Sequence, residues 1–363
     1  MTLAETISQF MLETYLTSSP SVPIRRFASK FAPSASEVNI PPAREPSATI
    51  PTAEALLNPP PTTRPPPLDV PARDPQKSLP AYLFSVGKTY ITFYKTGLRN
   101  ILTNRKLLAA SSAAAPPKLD KHGRASTFPS RADFVLQART RHDIARLPVF
   151  GLVILICGEF TPLVVVAFPK LTPYTCRIPK QIDILRRTAE TRREASFKAL
   201  RNAAPETPSS ATQQQGNGDK SSSSSSHELT GAIAKLAPGH IARTLGLTSR
   251  IWDRVGIDSP FSAALSQRAV RKIAADDRLI RRDGGVGGLI DDEVVLACEQ
   301  RGMNVRDQQA RNLRRRLDEW VRTTTRGGDR GAAEAGEADS ATEAAVRKML
   351  LSEEVILGKG VTT

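Results

Sequence analysis

Residues 147–168 read LPVFGLVILICGEFTPLVVVAF, an apolar stretch interrupted by one carboxylate, Glu159, and one helix breaker, Pro162. At about 1.5 Å of rise per residue, a helix of about 20 residues crosses the hydrocarbon core of a bilayer. The stretch therefore predicts a single transmembrane helix over 147–168. No other segment of comparable hydrophobicity is present to pack with it, and hydrophobic residues make up only 40% of the chain. Pro162 has no N–H and crowds the carbonyl of Gly158, which predicts a kink beside the carboxylate. A charge at mid-membrane is costly and usually faces a partner or a wet path. Glu159 has two readings: a neutral carboxyl that hydrogen-bonds the liberated carbonyl and fixes the bend, or a group on a proton or cation path.

Outward from the stretch, both flanks are basic. Over Tyr82 to Leu108, within a segment taken as 81–146, Val86, Tyr90, Phe93, Tyr94, Leu98, Ile101 and Leu102 recur at three- and four-residue spacing. They are interleaved with Lys88, Lys95, Arg99, Arg105 and Lys106, the pattern of a basic amphipathic helix suited to a membrane surface or to a partner protein. A second basic helix, Arg131 to Arg146, leads into Pro148, which suits the first turn of the span. Downstream, 169–202 carries Pro169, Pro173 and Pro179, then Lys180, Arg186, Arg187, Arg192 and Arg193. By the positive-inside rule the heavier downstream flank places the C-terminal part on the matrix side of an inner mitochondrial membrane; plain headgroup anchoring would leave orientation undecided.

The rest of the chain supplies one compact domain and long low-complexity stretches. The N-terminal 1–32 has an amphipathic run from Leu3 to Leu16 followed by Arg25 and Arg26, as in a mitochondrial presequence, although Glu5 and Glu13 equally fit a disordered tail. Residues 33–80 are proline-dominated, as in Pro59-Pro60-Pro61, and read as an extended linker. Residues 203–230 hold the run Ser221 to Ser226 and read as a disordered tether. Residues 231–326 read as compact and helical. Ser259 as N-cap and Pro260 at the first position open a helix running towards Leu279. The glycines from Gly284 to Gly288 break it, Asp291, Asp292 and Glu293 start a short helix that Gly302 closes, and Leu313, Leu317, Trp320 and Val321 share one face of a last helix. The remainder, 327–363, reads as a flexible tail in which Ser340 and Glu343 at capping-box spacing precede a short marginal helix.

The fold class expected is thus mainly α: a transmembrane helix joined to a C-terminal all-α domain. Chemistry is sparse. Val86-Gly87-Lys88-Thr89 lacks the earlier glycine of a phosphate-binding loop, and the four histidines pair with no nucleophile or metal-ligand set. Asp276, Asp277 and Asp283 have the wrong spacing for a calcium loop, and Cys157, Cys176 and Cys298 form neither a zinc pattern nor a disulfide framework. No enzyme, metal or cofactor is expected. A net charge of +15 and a pI near 10.1 point to a polyanionic partner, either nucleic acid or anionic lipid. The candidates for that contact are Arg268, Arg271, Lys272, Arg278, Arg281 and Arg282, with Arg311, Arg314 and Arg315 on the last helix. The opposing reading is a solvated face balanced by Asp276, Asp277, Glu299, Asp318 and Glu319.

Taken together, these residues resemble the mitochondrial Letm family and its ribosome-binding domain. The apolar stretch resembles it through Glu159-Phe160, Pro162, Phe168-Pro169, Leu171 and Pro173-Tyr174-Thr175. The domain does so through Ala275-Asp276-Asp277, Leu279-Ile280, Gly285-Val286, Leu289, Glu293, Ala297-Cys298, Arg301-Gly302-Met303, Leu313-Arg314, Leu317 and Trp320. The resemblance implies an inner-membrane protein with a single span and a matrix domain that contacts the mitochondrial ribosome. It further implies a role in potassium/proton homeostasis and in membrane-protein biogenesis. Its partners would be ribosomal protein or rRNA, inner-membrane lipids, potassium ions and protons. One helix cannot enclose a polar path, so a homo-oligomer is expected. The missing calcium loop and heptad coiled coil depart from longer family members. Two rival readings are a cation/proton exchanger proper with incidental ribosome contact and a nucleic-acid module similar to SAP motifs.

Overall fold

The elements follow from apolar periodicity closed at their ends by glycine and proline. A computed structural model describes residues 53–73, 78–114, 118–119, 125–157, 171–203, 234–326 and 335–358. All belong to a single unit that begins at Ile50. It is mainly α-helical. In chain order the helices are α1 (Ala53–Leu57), α2 (Leu79–Ala114), α3 (Arg131–Cys157), α4 (Pro179–Ala203), α5 (234–244) and α6 (Arg250–Val255). They continue with α7 (Ser262–Arg282), α8 (Asp291–Gln300), α9 (Ala310–Thr325), α10 (Ala335–Leu350) and α11 (Glu353–Leu357). Two short strands, Lys118–Leu119 and Ala125–Thr127, pair antiparallel between α2 and α3.

The main core is built on the stripe expected for α9: Leu313, Leu317, Trp320 and Val321 are buried against Val270, Ile273, Ala274 and Ile280 of α7 and Val294, Ala297 and Cys298 of α8. Gly302 closes α8 as expected, with φ near +77° and the N–H of Met303 donating to the Cys298 carbonyl at 3.0 Å. The start of α7 differs from expectation. Ser259 caps a tight turn instead, its hydroxyl accepting from the Phe261 N–H at 3.4 Å, and the helix begins at Ser262.

The core recruits segments that composition assigned to linkers and tails. Val346 and Leu350 of α10 and Ile356 of α11 are fully buried in it, so the tail is part of the domain; Ser340 lies inside α10 and opens no capping box. Within the proline-rich segment, Leu57 is likewise buried in this core, Asn58 donates to the Gly288 carbonyl at 2.8 Å, and its side-chain oxygen accepts from the Ile290 N–H at 3.0 Å. Prolines keep this strap extended while one leucine and one amide side chain anchor it.

A second cluster joins α2 to α3 through Tyr94, Leu98, Ile101, Leu147, Phe150 and Val153, with Cys176 of the return turn. The two helices are antiparallel, because Tyr94 stacks near Phe150 with centroids 6.1 Å apart while Ser111 hydrogen-bonds Asp133. The second basic helix and the start of the apolar stretch are one helix, α3, with Pro148 inside it.

Among the described residues no helix is long and apolar enough to cross a membrane. Glu159 and Pro162 lie outside the described residues, as do the presequence candidate and the serine-rich tether. The single-pass arrangement expected for the stretch is not supported by the packing of its described flanks. The Asp143 carboxylate, before the apolar stretch, accepts from the N–H groups of Tyr174 at 2.6 Å and Thr175 at 3.2 Å, after it. A span of 22 residues would separate its ends by about 33 Å. Moreover, α1 and α3 from before the stretch share buried contacts with α7 and α8 from after it, and one bilayer cannot stand between them. The downstream arginines have partners within the fold: Arg186 pairs with Glu299, Arg187 with Asp183 and Arg192 with Asp253, while Arg193 donates to the Thr244 carbonyl.

Candidate functional site

The centre of the domain is ionic. Arg301, at the C-terminus of α8, is buried and donates from Nη2 to Asp276 at 2.8 Å, from Nε to Asp277 at 3.0 Å and from Nη1 to the Ala297 carbonyl at 2.9 Å. Asp277 also accepts from the Trp320 indole at 3.0 Å and the Thr324 hydroxyl at 2.9 Å. From α3, Arg131 donates to Asp276 at 2.9 Å and to the Leu57 carbonyl at 2.8 Å, and its backbone N–H meets Asp283 at 2.7 Å. One turn-pair along, Arg139 forms a bidentate pair with buried Glu293 at 2.8 and 2.9 Å and reaches Thr63 of the strap at 3.1 Å.

The two aspartates divide in character. Burial opposes the charge of Asp276, but Arg131 and Arg301 outweigh it and hold its pKa below the ordinary value. Burial pushes Asp277 the other way, up, against the pull of Arg301. Arg301 is disfavoured by burial, and Asp277 and Asp276 outweigh that and raise its pKa. Every polar group of the set is partnered, which is what makes buried charges tolerable. The network is a clamp and not a reaction site, since its groups are sealed from solvent and consume one another's hydrogen-bonding capacity.

The sequence-predicted basic residues separate into two groups. Arg314 donates to the carbonyls of Val286, Gly287 and Leu289 and pairs with Asp291 at 2.7 Å, holding the glycine turn. Arg282 reaches the carbonyls of Phe128 and Pro129 and the Asp283 carboxylate. Arg278 pairs with Asp339 at 3.1 Å, Arg271 approaches Glu343 at 3.7 Å, and Arg281 donates to Thr325 at 2.8 Å. These five serve the fold. Arg268 and Lys272 on α7, and Arg311 and Arg315 on α9, are exposed, and no ion pair engages them among the described residues. Each pair is spaced i, i+4 and so lies on one helical face.

Sequence reasoning passed over Arg131, Arg139 and Glu293 as ionic partners, taking the first two as part of a basic membrane-flanking helix. The available signal was Glu293 and Asp276-Asp277 inside an otherwise apolar stripe. Elsewhere, among the described residues no group of His, Cys, Asp and Glu could hold a metal ion. The thiols of Cys298 and Cys176 are buried and pushed up by burial to about 11 and about 12, which leaves them unreactive.

Comparison with known proteins matches residues 253–330 to the family model described as LETM1-like, RBD. Residues 253–330 are thus similar to the LETM1-like domain. The LETM1-like domain contains α7, α8 and α9, and with them Asp276, Asp277, Glu293 and Arg301. Residues 117–215 match the pentamidine resistance factor domain, which takes in α3, the apolar stretch and α4. No curated protein and no solved structure matches.

Proposed function

We propose that this LETM1-like protein is attached to the mitochondrial inner membrane and docks on the mitochondrial ribosome from the matrix. The observation that carries the reading is the match to the LETM1-like ribosome-binding domain, whose α7 and α9 present Arg268, Lys272, Arg311 and Arg315 to solvent. Unpaired arginines and lysines on rigid helices suit phosphate and acidic protein surfaces, with affinity that falls as salt rises. In this reading the protein supports potassium/proton homeostasis and membrane-protein biogenesis, and works as a homo-oligomer. The match does not extend to the ion, and Glu159 of the apolar stretch is the residue assigned to that role.

The test is co-sedimentation of the detergent-solubilised full chain with mitochondrial ribosomes across a salt series. Arg311→Glu with Arg315→Glu is expected to weaken association and to lower the salt slope by about 2, since each phosphate contact contributes close to one. An unchanged slope and affinity would refute docking through α9. For the ion-handling part, Glu159→Gln is expected to alter potassium-dependent swelling of isolated mitochondria, and unchanged swelling at normal protein levels counts against it.

A further inference from the structure

The α2–α3 hairpin is clamped at one end, where Leu102 and Leu107 are exposed beside basic residues, and gathers a larger set of exposed apolar side chains at the other. At the clamped end Arg131 and Arg139 bind the LETM1-like domain, and Asn104 of α2 hydrogen-bonds Thr62 of the strap. At the other end large apolar side chains face outward. Leu79, Leu83, Phe84 and Ile91 project from α2, with Phe84 77% and Ile91 69% exposed. Val149, Leu152 and Ile156 project from α3, with Ile156 73% exposed. Because the helices are antiparallel with Tyr94 level with Phe150, residues 79–91 and 152–156 share that end. Soluble surfaces rarely leave so many large apolar groups together without a function.

The chemistry of the neighbouring side chains says what covers this end. The whole of α2 contains no Asp or Glu and carries Lys88, Lys95, Arg99, Arg105 and Lys106. Lys88 and Lys95 alternate with Phe84 and Ile91 along one stripe, where their stems can lie on lipid while the ammonium groups reach phosphates. The apolar stretch continues from the same end of α3, and its flanks at Asp143 and Tyr174 are joined by a hydrogen bond. The described chain on the two sides of the apolar stretch is thus held together at Asp143.

We propose that this end of the hairpin enters an anionic bilayer from one side only, with α2 contributing lipid contacts alongside α3. Residues 53–146 and 171–358 then share one compartment. The proposal rests on the membrane attachment proposed above and replaces a span with a one-sided anchor.

Its test uses the full chain with Cys157→Ser and one added cysteine, either Ala109→Cys before the apolar stretch or Gln308→Cys after it; both positions are exposed. Mitoplasts are treated with a membrane-impermeant maleimide before and after the membrane is opened, and pellets are then extracted with alkaline carbonate. The two sites are expected to label equally in each preparation, with the protein retained in the pellet. Labelling of only one site in intact mitoplasts would overturn the one-sided anchor while leaving membrane attachment intact. Release by carbonate would overturn the attachment itself. For the lipid contact, an environment-sensitive fluorophore on Phe84→Cys or Ile91→Cys is read in vesicles of phosphatidylcholine and cardiolipin with brominated chains. Severalfold quenching is expected at both positions. Water-like, unquenched emission from vesicle-bound protein would sink the role of α2.

Discussion

Arg301 gathers Asp276, Asp277 and a carbonyl around one guanidinium, and its removal would leave two carboxylates buried without their main partner. Breaking such a set by deleting one member costs about 3–5 kcal/mol. Arg301→Met is therefore expected to lower the unfolding free energy from urea titration by that amount, and an unshifted midpoint would show that the network contributes little. A pH effect belongs to His240, buried with Ser196 at 2.9 Å and packed edge-on to Phe197. Burial, foremost, lowers its pKa below the ordinary 6.5, against raising contributions from hydrogen bonds with Ser196 and Leu350. The unfolded chain then binds the extra proton first, so this contribution to stability is complete above about pH 6.5 and is lost as pH falls below it. Thermal unfolding followed from pH 7.5 to 5.5 should show a decline that His240→Gln flattens; equal slopes in both proteins would remove His240 as the cause. Neither role was legible residue by residue. A lone arginine or histidine in a basic sequence has the same letter whether it is solvated or sealed, and burial is decided by distant partners.

At the level of elements, apolar periodicity located α2 and α9; the α9 stripe lies on the core as expected, because a face of Leu, Trp and Val at helical spacing has to be covered, whereas α2, expected on a membrane surface or a partner, turns Tyr94, Leu98 and Ile101 onto α3. The strap and α10 were missed. Proline content and low aromatic content describe the average of a segment, while one residue, Leu57, at 0% exposure secures the strap. Leu57→Ala is expected to destabilise by about 2–5 kcal/mol. A change below about 0.5 kcal/mol, the range of surface substitutions, would mean that the strap is not held in solution. Gly97 marks the joint between α2 and the return turn: a Cβ there would meet the Thr175 carbonyl oxygen at 2.8 Å and the Cys176 sulfur at 2.9 Å. Gly97→Val should therefore cost about 1–3 kcal/mol, read as a lower unfolding midpoint in detergent.

At the scale of the whole molecule, hydropathy located an apolar stretch and charge located a basic protein, and both readings stand as composition. The inference from stretch to single span is not supported, because hydropathy carries no information on where the chain goes next. Asp143 bonding the N–H groups of Tyr174 and Thr175, and Arg139 bonding Glu293 across 154 positions, bring the two flanks together. The same packing explains the electrostatics: five of the nine predicted contact residues are spent inside the fold, and the exposed remainder on α7 and α9 is smaller than +15 suggests. By itself, the order of residues determined the helical class, the ends of α8, the buried face of α9 and the likeness to the LETM1-like domain, all of which depend on spacing within a few turns. Only the tertiary structure decided which charges are sealed, that strap and tail complete the core, and that both flanks of the apolar stretch lie together. Those outcomes depend on contacts between positions far apart in sequence, and no local pattern encodes the distance between them.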